Sequence, residues 1–248
     1  MATDATTSAP SPAPASWEPL GLHERRVLGV LVEKAKTTPD AYPLSLNALV
    51  TGCNQKSNRD PVLNLVDAEV EEAVAVLKKR GYVQQITGSG RVDKYRHVLY
   101  DALKVDKVQL AVLAELLLRG PQTEAELRTR ASRMEPIADL DQLRTQLRAL
   151  AERKLVVYLS PEGRRGTTVT HGFHSPDELE QLRARVGREA HAAAPPAPSA
   201  GQSELARRVE ALEASVAQLS ADLAKLQALL TALAQPPASA EPDGNRPP

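Results

Sequence analysis

The chain has 248 residues, a single cysteine, 3% aromatic residues, and 31 Lys plus Arg balancing 31 Asp plus Glu. The balance removes any global electrostatic pull toward nucleic acid or anionic lipid, leaving only a local basic face open. One cysteine excludes an intrachain disulfide; no apolar run nears the roughly 20 residues of a membrane span, and MATDATTSAP lacks the basic and apolar regions of a secretory signal, so a cytoplasmic protein without a membrane partner is expected.

Residues 1–16 are Ala, Pro, Ser and Thr, too polar to offset ordering entropy, and read as a disordered arm. From Leu22 to Lys36 the apolar positions Leu28, Leu31, Val32 and Ala35 follow the helical i, i+3, i+4, i+7 rule. Ser45 suits the N-cap of a second helix whose inner face carries Leu46, Leu49, Val50 and Cys53. The polar stretch CNQKSNRDP, Cys53 to Pro61, follows. A third helix opens near Asp67, buries Val70, Ala73, Val74 and Leu77, and stops at Gly81. Tyr82 to Ile86 and Arg91 to Tyr100, joined by Gly88-Ser89-Gly90, read as a β-hairpin. Three helices and a hairpin is the order of a winged helix-turn-helix, with the third helix facing a DNA groove and the hairpin as wing.

The order then repeats. Leu110, Leu113, Ala114 and Leu117 mark a first helix, and Thr123 with Glu126 forms a capping box for a second. Leu140, Leu143, Leu147 and Leu150 mark a third, and Leu155–Leu159 with Thr167–Phe173 a second hairpin. The connection between second and third helices is short in this copy, so Asn54 to Pro61 reads as an insertion peculiar to the first. Beyond an Ala/Pro-rich linker, Leu205, Val209, Leu212, Val216, Leu219, Leu223, Leu226, Leu230 and Leu233 alternate in steps of four and three. That heptad, Val or Leu at a and Leu at d, predicts a two-stranded coiled coil and a homodimer.

The fold class predicted is mainly α with small β-hairpins (α+β): two tandem winged helix-turn-helix domains and a C-terminal coiled-coil helix. The expected boundaries are a disordered arm at 1–16, winged domains at 17–100 and 101–185, a flexible linker at 186–202, the coil at 203–235 and a disordered tail at 236–248. The segments TTPDAYPLSLNALVTGCNQKSNRDPVLNL and LLLRGPQTEAELRTRASRM, with the closing His171-Gly172-Phe173, resemble the uncharacterised bacterial YceH-like family over roughly residues 20–175. The resemblance implies two tandem winged-helix domains and no particular activity.

Functional residues follow from charge and position. In the insertion, Lys56 and Arg59 suit phosphate or carboxylate, and Asn54, Gln55 and Asn58 suit hydrogen bonding, either to a target or within a turn. The first wing offers Arg91, Lys94 and Arg96, but the third helix before it carries Asp67, Glu69, Glu71 and Glu72, which repel phosphate. The second copy presents Gln142, Arg144, Thr145 and Arg148 opposite its Leu stripe, and Arg164-Arg165-Gly166 at its wing tip. Cys53 falls on a buried face, and His171 and His174 lack further ligands for a metal. No catalytic residue, cofactor site or metal site is expected. The reading is a non-enzymatic, DNA-binding dimer with a regulator's build; the alternative is a scaffold that binds a protein partner.

Overall fold

The computed structural model describes residues 17–87, 92–164, 166–193 and 200–233. The first half runs α1 (Leu22–Thr37), β1 (Leu44–Ser45), α2 (Leu46–Cys53), α3 (Asp67–Lys79), β2 (Val83–Thr87) and β3 (Asp93–His97). After α4 (Leu99–Leu103) come α5 (Lys107–Arg119), β4 (Gln122–Thr123), α6 (Glu124–Ala131), α7 (Leu140–Glu152), β5 (Val156–Tyr158) and β6 (Thr168–His171). Among the described residues two further helices follow, α8 (Pro176–Ala193) and α9 (Ala200–Leu233). The result is a mixed α+β protein with two antiparallel three-stranded sheets, ordered β1-β3-β2 and β4-β6-β5.

Local chemistry explains the helix ends. Ser45 Oγ accepts the Ala48 amide at 3.3 Å, and Asp139 accepts the Gln142 amide at 2.7 Å. Thr123 and Glu126 form the reciprocal capping box, the Thr123 amide reaching the Glu126 carboxylate at 3.1 Å. Positive φ at Gly81 (72°) and Gly120 (70°) turns the chain out of α3 and α5, a conformation open to glycine at no steric cost.

Three features depart from the sequence expectation. β1 and β4 are two residues long, too short to show alternation, yet each adds an edge to its hairpin: Leu44 faces Tyr95 and Gln122 faces Val169. The return strand of the first hairpin ends at His97, and Leu99–Leu103 is helical. α8 runs on to Ala193, across the point where the linker was expected to begin, because Ala, Arg and Glu continue its favourable composition.

The described residues up to His191 form one compact unit, and those from Ala192 onward a second. The boundary expected at residue 100 therefore lies inside a single unit. The reason is the pairing of α1 with α5. Every residue from Arg25 to Glu33 and from Leu110 to Leu118 is buried, and a helix buried on all sides lies inside a core. At Gly29 an added Cβ would stand 2.8 Å from Leu118 Cγ and 3.3 Å from the Ala114 carbonyl oxygen, so the two backbones approach closely. The core passes without interruption from Leu28 and Leu77 through Leu113 to Leu147 and Phe173.

Candidate functional site

The insertion after α2 folds back as a latch. α2 ends at Cys53, and its last carbonyls lack helical partners. Two buried guanidinium groups meet them. Arg59 donates from Nε to the Gly52 carbonyl at 3.1 Å, and Arg26 donates to the Cys53 carbonyl at 3.0 Å and the Pro61 carbonyl at 2.6 Å. Cations at a helix C-terminus also oppose its dipole favourably. Arg59 grips the carboxylate of Glu33 on α1 with both terminal nitrogens, at 2.6 and 3.2 Å. Its side chain is 0% exposed. Burial, then the nearby Arg59 charge, lower the pKa of Arg26 from its ordinary value.

The neighbouring residues complete the latch. Asn54 bridges Leu65, donating to its carbonyl at 2.8 Å and accepting its amide at 2.7 Å. Gln55 accepts from Arg59 at 3.0 Å. Asn58 takes a left-handed conformation (φ 59°) and accepts from Arg119 at 2.9 Å. The Asp60 amide donates to the Leu118 carbonyl at 3.0 Å. The stretch thus ties α2 to α1 and to the end of α5. Arg59, expected to suit phosphate or carboxylate, is turned inward onto the carboxylate of its own chain's Glu33, because that buried carboxylate and the helix-end carbonyls outcompete water for it. Asn54, Gln55 and Asn58 are engaged with their own chain, and Lys56 is the exposed cation of the stretch.

Glu33 was missed in the sequence, as was Glu115 at the equivalent place on α5. Glu115 is 0% exposed, with Arg133 at 3.2 Å and Arg119 at 3.3 Å. The Arg119 contact has ion-pair distance without hydrogen-bond alignment. Burial raises the Glu115 pKa, and the arginines oppose the shift. The available signal was an acid set at the sixth position of two similar apolar runs, LGVLVEKAK and LAVLAELLL.

The remaining expected residues divide by half. Lys94 is exposed on β3, while Arg96 is held by Gln84 at 2.6 Å. Arg91 and Arg165 lie outside the described residues. On α3, Asp67, Glu71 and Glu72 are exposed, as the helical periodicity predicts. On α7 the cations are paired: Arg144 with Glu124 at 2.9 Å, and Arg148 with Glu162 of the following turn at 2.5 Å. Thr145 is exposed, its hydroxyl donating to the Asp141 carbonyl at 2.9 Å, and Arg164 is exposed in the turn between β5 and β6. On α9, Val209, Leu212, Val216, Leu219 and Leu223 are exposed. Leu205, Leu226, Leu230 and Leu233 fall in the same helix, with side chains outside the described residues.

A second polar centre lies at the end of β6. The rings of His171 and His174 stack with centroids 3.9 Å apart and 16° between planes. Arg25 of α1 donates to His174 Nδ1 at 2.6 Å and to Glu178 of α8 at 2.8 Å, and His174 Nε2 meets the Thr170 hydroxyl at 2.9 Å. Burial, then the Arg25 charge, hold the His174 pKa down to about 4. The His171 pKa is likewise lowered well below its ordinary value, by burial first, then by His174 and Arg25. Both rings are therefore neutral near pH 7. Cys53 is fully buried, and burial pushes its thiol up to about 12, which suits a packing role better than a nucleophile. Among the described residues no group of three or more His, Cys, Asp or Glu is placed to hold a metal, and no helix is long and apolar enough to cross a membrane.

Comparison with known proteins places this architecture in a family. The family described as "Protein of unknown function, DUF480" matches residues 20–165. The UPF0502 protein of Rhodopirellula baltica is 49% identical over 191 residues, covering 77% of this chain and 80% of that protein. The UPF0502 protein of Geobacter sulfurreducens is 56% identical over 130 residues, covering 52% of this chain and 59% of that protein, and that of Hahella chejuensis is 49% identical over 164 residues, covering 63% and 75%. The chain belongs to this bacterial DUF480 family, in keeping with the resemblance carried by CNQKSNRDP.

Proposed function

We propose that the chain is a non-enzymatic tandem winged-helix protein that binds double-stranded DNA through its second half and pairs with a second copy through α9. The repeated order of helix, short strand, helix, helix and hairpin supports the winged-helix reading. The observation that carries DNA binding is the exposed face of α7, with Thr145 and Arg148, joined through the Arg148–Glu162 pair to the turn that bears Arg164. The Arg148 side chain is 61% exposed. Such exposed surface pairs contribute little, so a DNA phosphate can replace Glu162 at little cost and release counterions. The equivalent helix of the first half, α3, presents Asp67, Glu71 and Glu72 and repels phosphate. On this reading the first half braces the second.

A mobility-shift titration with random-sequence duplex tests the proposal. The wild type shifts the duplex, the shift weakens steeply with salt, and Arg164→Glu with Arg165→Glu abolishes it. A wild type that gives no salt-dependent shift at micromolar concentration refutes it. One observation favours a protein partner instead: the acidic face of α3 follows directly on exposed Val62 and Val66, a combination that suits a basic and apolar protein surface. Capture of a defined partner that is lost with Asp67→Lys and Glu71→Lys, without any DNA shift, selects this second reading.

The dimer rests on the apolar stripe of α9. A 34-residue helix is about 50 Å long, and burying each exposed Leu or Val against a partner contributes about 1.5–3 kcal/mol. Truncation after Gly201 is expected to yield a monomer in sedimentation equilibrium; a truncated chain that still sediments as a dimer overturns this part.

A further inference from the structure

The three segments that distinguish this sequence meet at one small cavity of about 170 Å³. CNQKSNRDP contributes Asp60, LLLRGPQT contributes Arg119, and HGFH contributes His171 and His174. Arg25 of α1 and Arg185 of α8 complete the polar wall. Ligand pockets for drug-sized molecules run to roughly 300–1,000 Å³, so this cavity suits a ligand of few non-hydrogen atoms.

Its polar floor is built rather than incidental. Arg25 is 7% exposed and His171 is 2% exposed. His171 Nδ1 accepts the Phe173 amide at 3.2 Å, so the neutral ring carries its proton on Nε2. Arg25 Nε is buried without a hydrogen-bond partner. The carboxylates that steady the guanidinium groups come from outside the wall: Glu178 holds Arg25, Glu115 lies 3.3 Å from Arg119, and Glu189 lies 3.8 Å from Arg185. The wall therefore presents the N–H groups of three guanidinium groups, each backed by a carboxylate that lies outside the wall, and one carboxylate of its own, Asp60.

We propose that this cavity binds a small oxyanion of the phosphate class, either inorganic phosphate or the phosphate end of a small ester. Guanidinium groups match the spacing of phosphate oxygens and remain charged at every physiological pH. Asp60 adds discrimination. A fully ionised anion such as sulfate meets only repulsion there, whereas a protonated phosphate oxygen donates a hydrogen bond to it. The site is separate from the α7 face, so it stands or falls independently of DNA binding.

Isothermal titration of the full-length protein at constant ionic strength tests it, with inorganic phosphate, glycerol phosphate and sulfate as the three titrants. The expected result is saturable binding of phosphate or of its ester, the tighter of the two identifying the source, with sulfate weaker by about tenfold or more, the cost of one charge-assisted hydrogen bond. Arg185→Gln, at a side chain 53% exposed and so tolerant of change, weakens binding by about tenfold. Asp60→Asn narrows the gap to sulfate, and Lys107→Gln, exposed at the start of α5 and outside the cavity wall, leaves binding unaltered. Absence of saturable binding by the wild type with both phosphate titrants overturns the proposal. So does sulfate binding as tight as phosphate, or an Arg185→Gln titration identical to the wild type.

Discussion

Replacing Arg59 by leucine removes the cation at the centre of the latch. Glu33 then keeps its carboxylate in a buried site, with Lys34 Nζ at 3.8 Å as its remaining ion-pair neighbour, and the Gly52 carbonyl loses the Arg59 donors at 3.0 and 3.1 Å. Removing one member of a buried, hydrogen-bonded pair costs about 3–5 kcal/mol, most of it the penalty of the charge left behind. For a unit of this size each kcal/mol shifts the Tm by about 2–4 °C, so a fall of roughly 6–20 °C is expected. Urea unfolding followed by Trp17 fluorescence measures it without interference from α9, because Trp17 packs 6.1 Å from Phe173 and donates to the Arg153 carbonyl inside the first unit. The midpoint should fall with an unchanged slope. Adding Glu33→Leu should recover much of the loss, since an apolar pair of similar volume replaces a buried ion pair at little cost. A midpoint for Arg59→Leu equal to the wild type, or a double variant no better than the single, would refute the reasoning and return Arg59 to the role of a ligand contact.

Three further outcomes follow from named positions. At Asn58 (φ 59°), Asn58→Gly and Asn58→Val both lose the Arg119 contact but differ in backbone strain, so the valine variant should be about 1–2 kcal/mol less stable than the glycine one in the same urea titration; equal midpoints would contradict the left-handed assignment. At Gly172 an added Cβ would stand 1.8 Å from the Lys154 carbonyl oxygen and 2.8 Å from its carbon, a clash with backbone that no rotamer relieves; Gly172→Ala should cost at least the roughly 3 kcal/mol of severe overpacking, seen as a loss of soluble folded protein. Stability should also fall as pH drops from about 6.5 to about 4. His97 and His174 are each held down to about 4 by burial first, then by Lys36 and Arg96 at His97 and by Arg25 at His174. The unfolded chain, with histidine near 6.5, therefore takes up protons in that window that the folded chain refuses, which favours unfolding. Glu115, raised by burial, pulls the other way and softens the slope. A urea midpoint that stays flat or rises on acidification through this window would contradict the histidine assignments.

The local features were legible because their causes are local. Leu28, Leu31 and Val32, the Ser45 and Thr123 caps, and Gly81 each act within a turn or two of chain, and each element they predict is present. The bond between the halves was less legible because it is set by which faces find cover. Even so, the apolar run through Leu110–Leu118, with no polar side beyond Glu115, already marks a helix surrounded on all sides. The latch was left open between a turn and a target contact for a different reason. Arg59 sits among Asn, Gln and Asp and looks solvent-facing, while its carboxylate partner lies 26 residues away on α1. Arg144 and Arg148 likewise looked like free cations, and their partners Glu124 and Glu162 come from other elements. Periodicity assigns a side chain to a face, but the groups that wait there come from elsewhere in the chain.

The mutual burial of α1 and α5 bears on how the two halves could ever have existed apart. A chain cut between α4 and α5 would uncover the flank where α1 and α5 meet, and each fragment is expected to fold only at the cost of exposing it. Mixed together, the fragments would supply each other's missing cover along the line where Gly29 meets Leu118. Each half therefore depends on the other for the cover of its central helix.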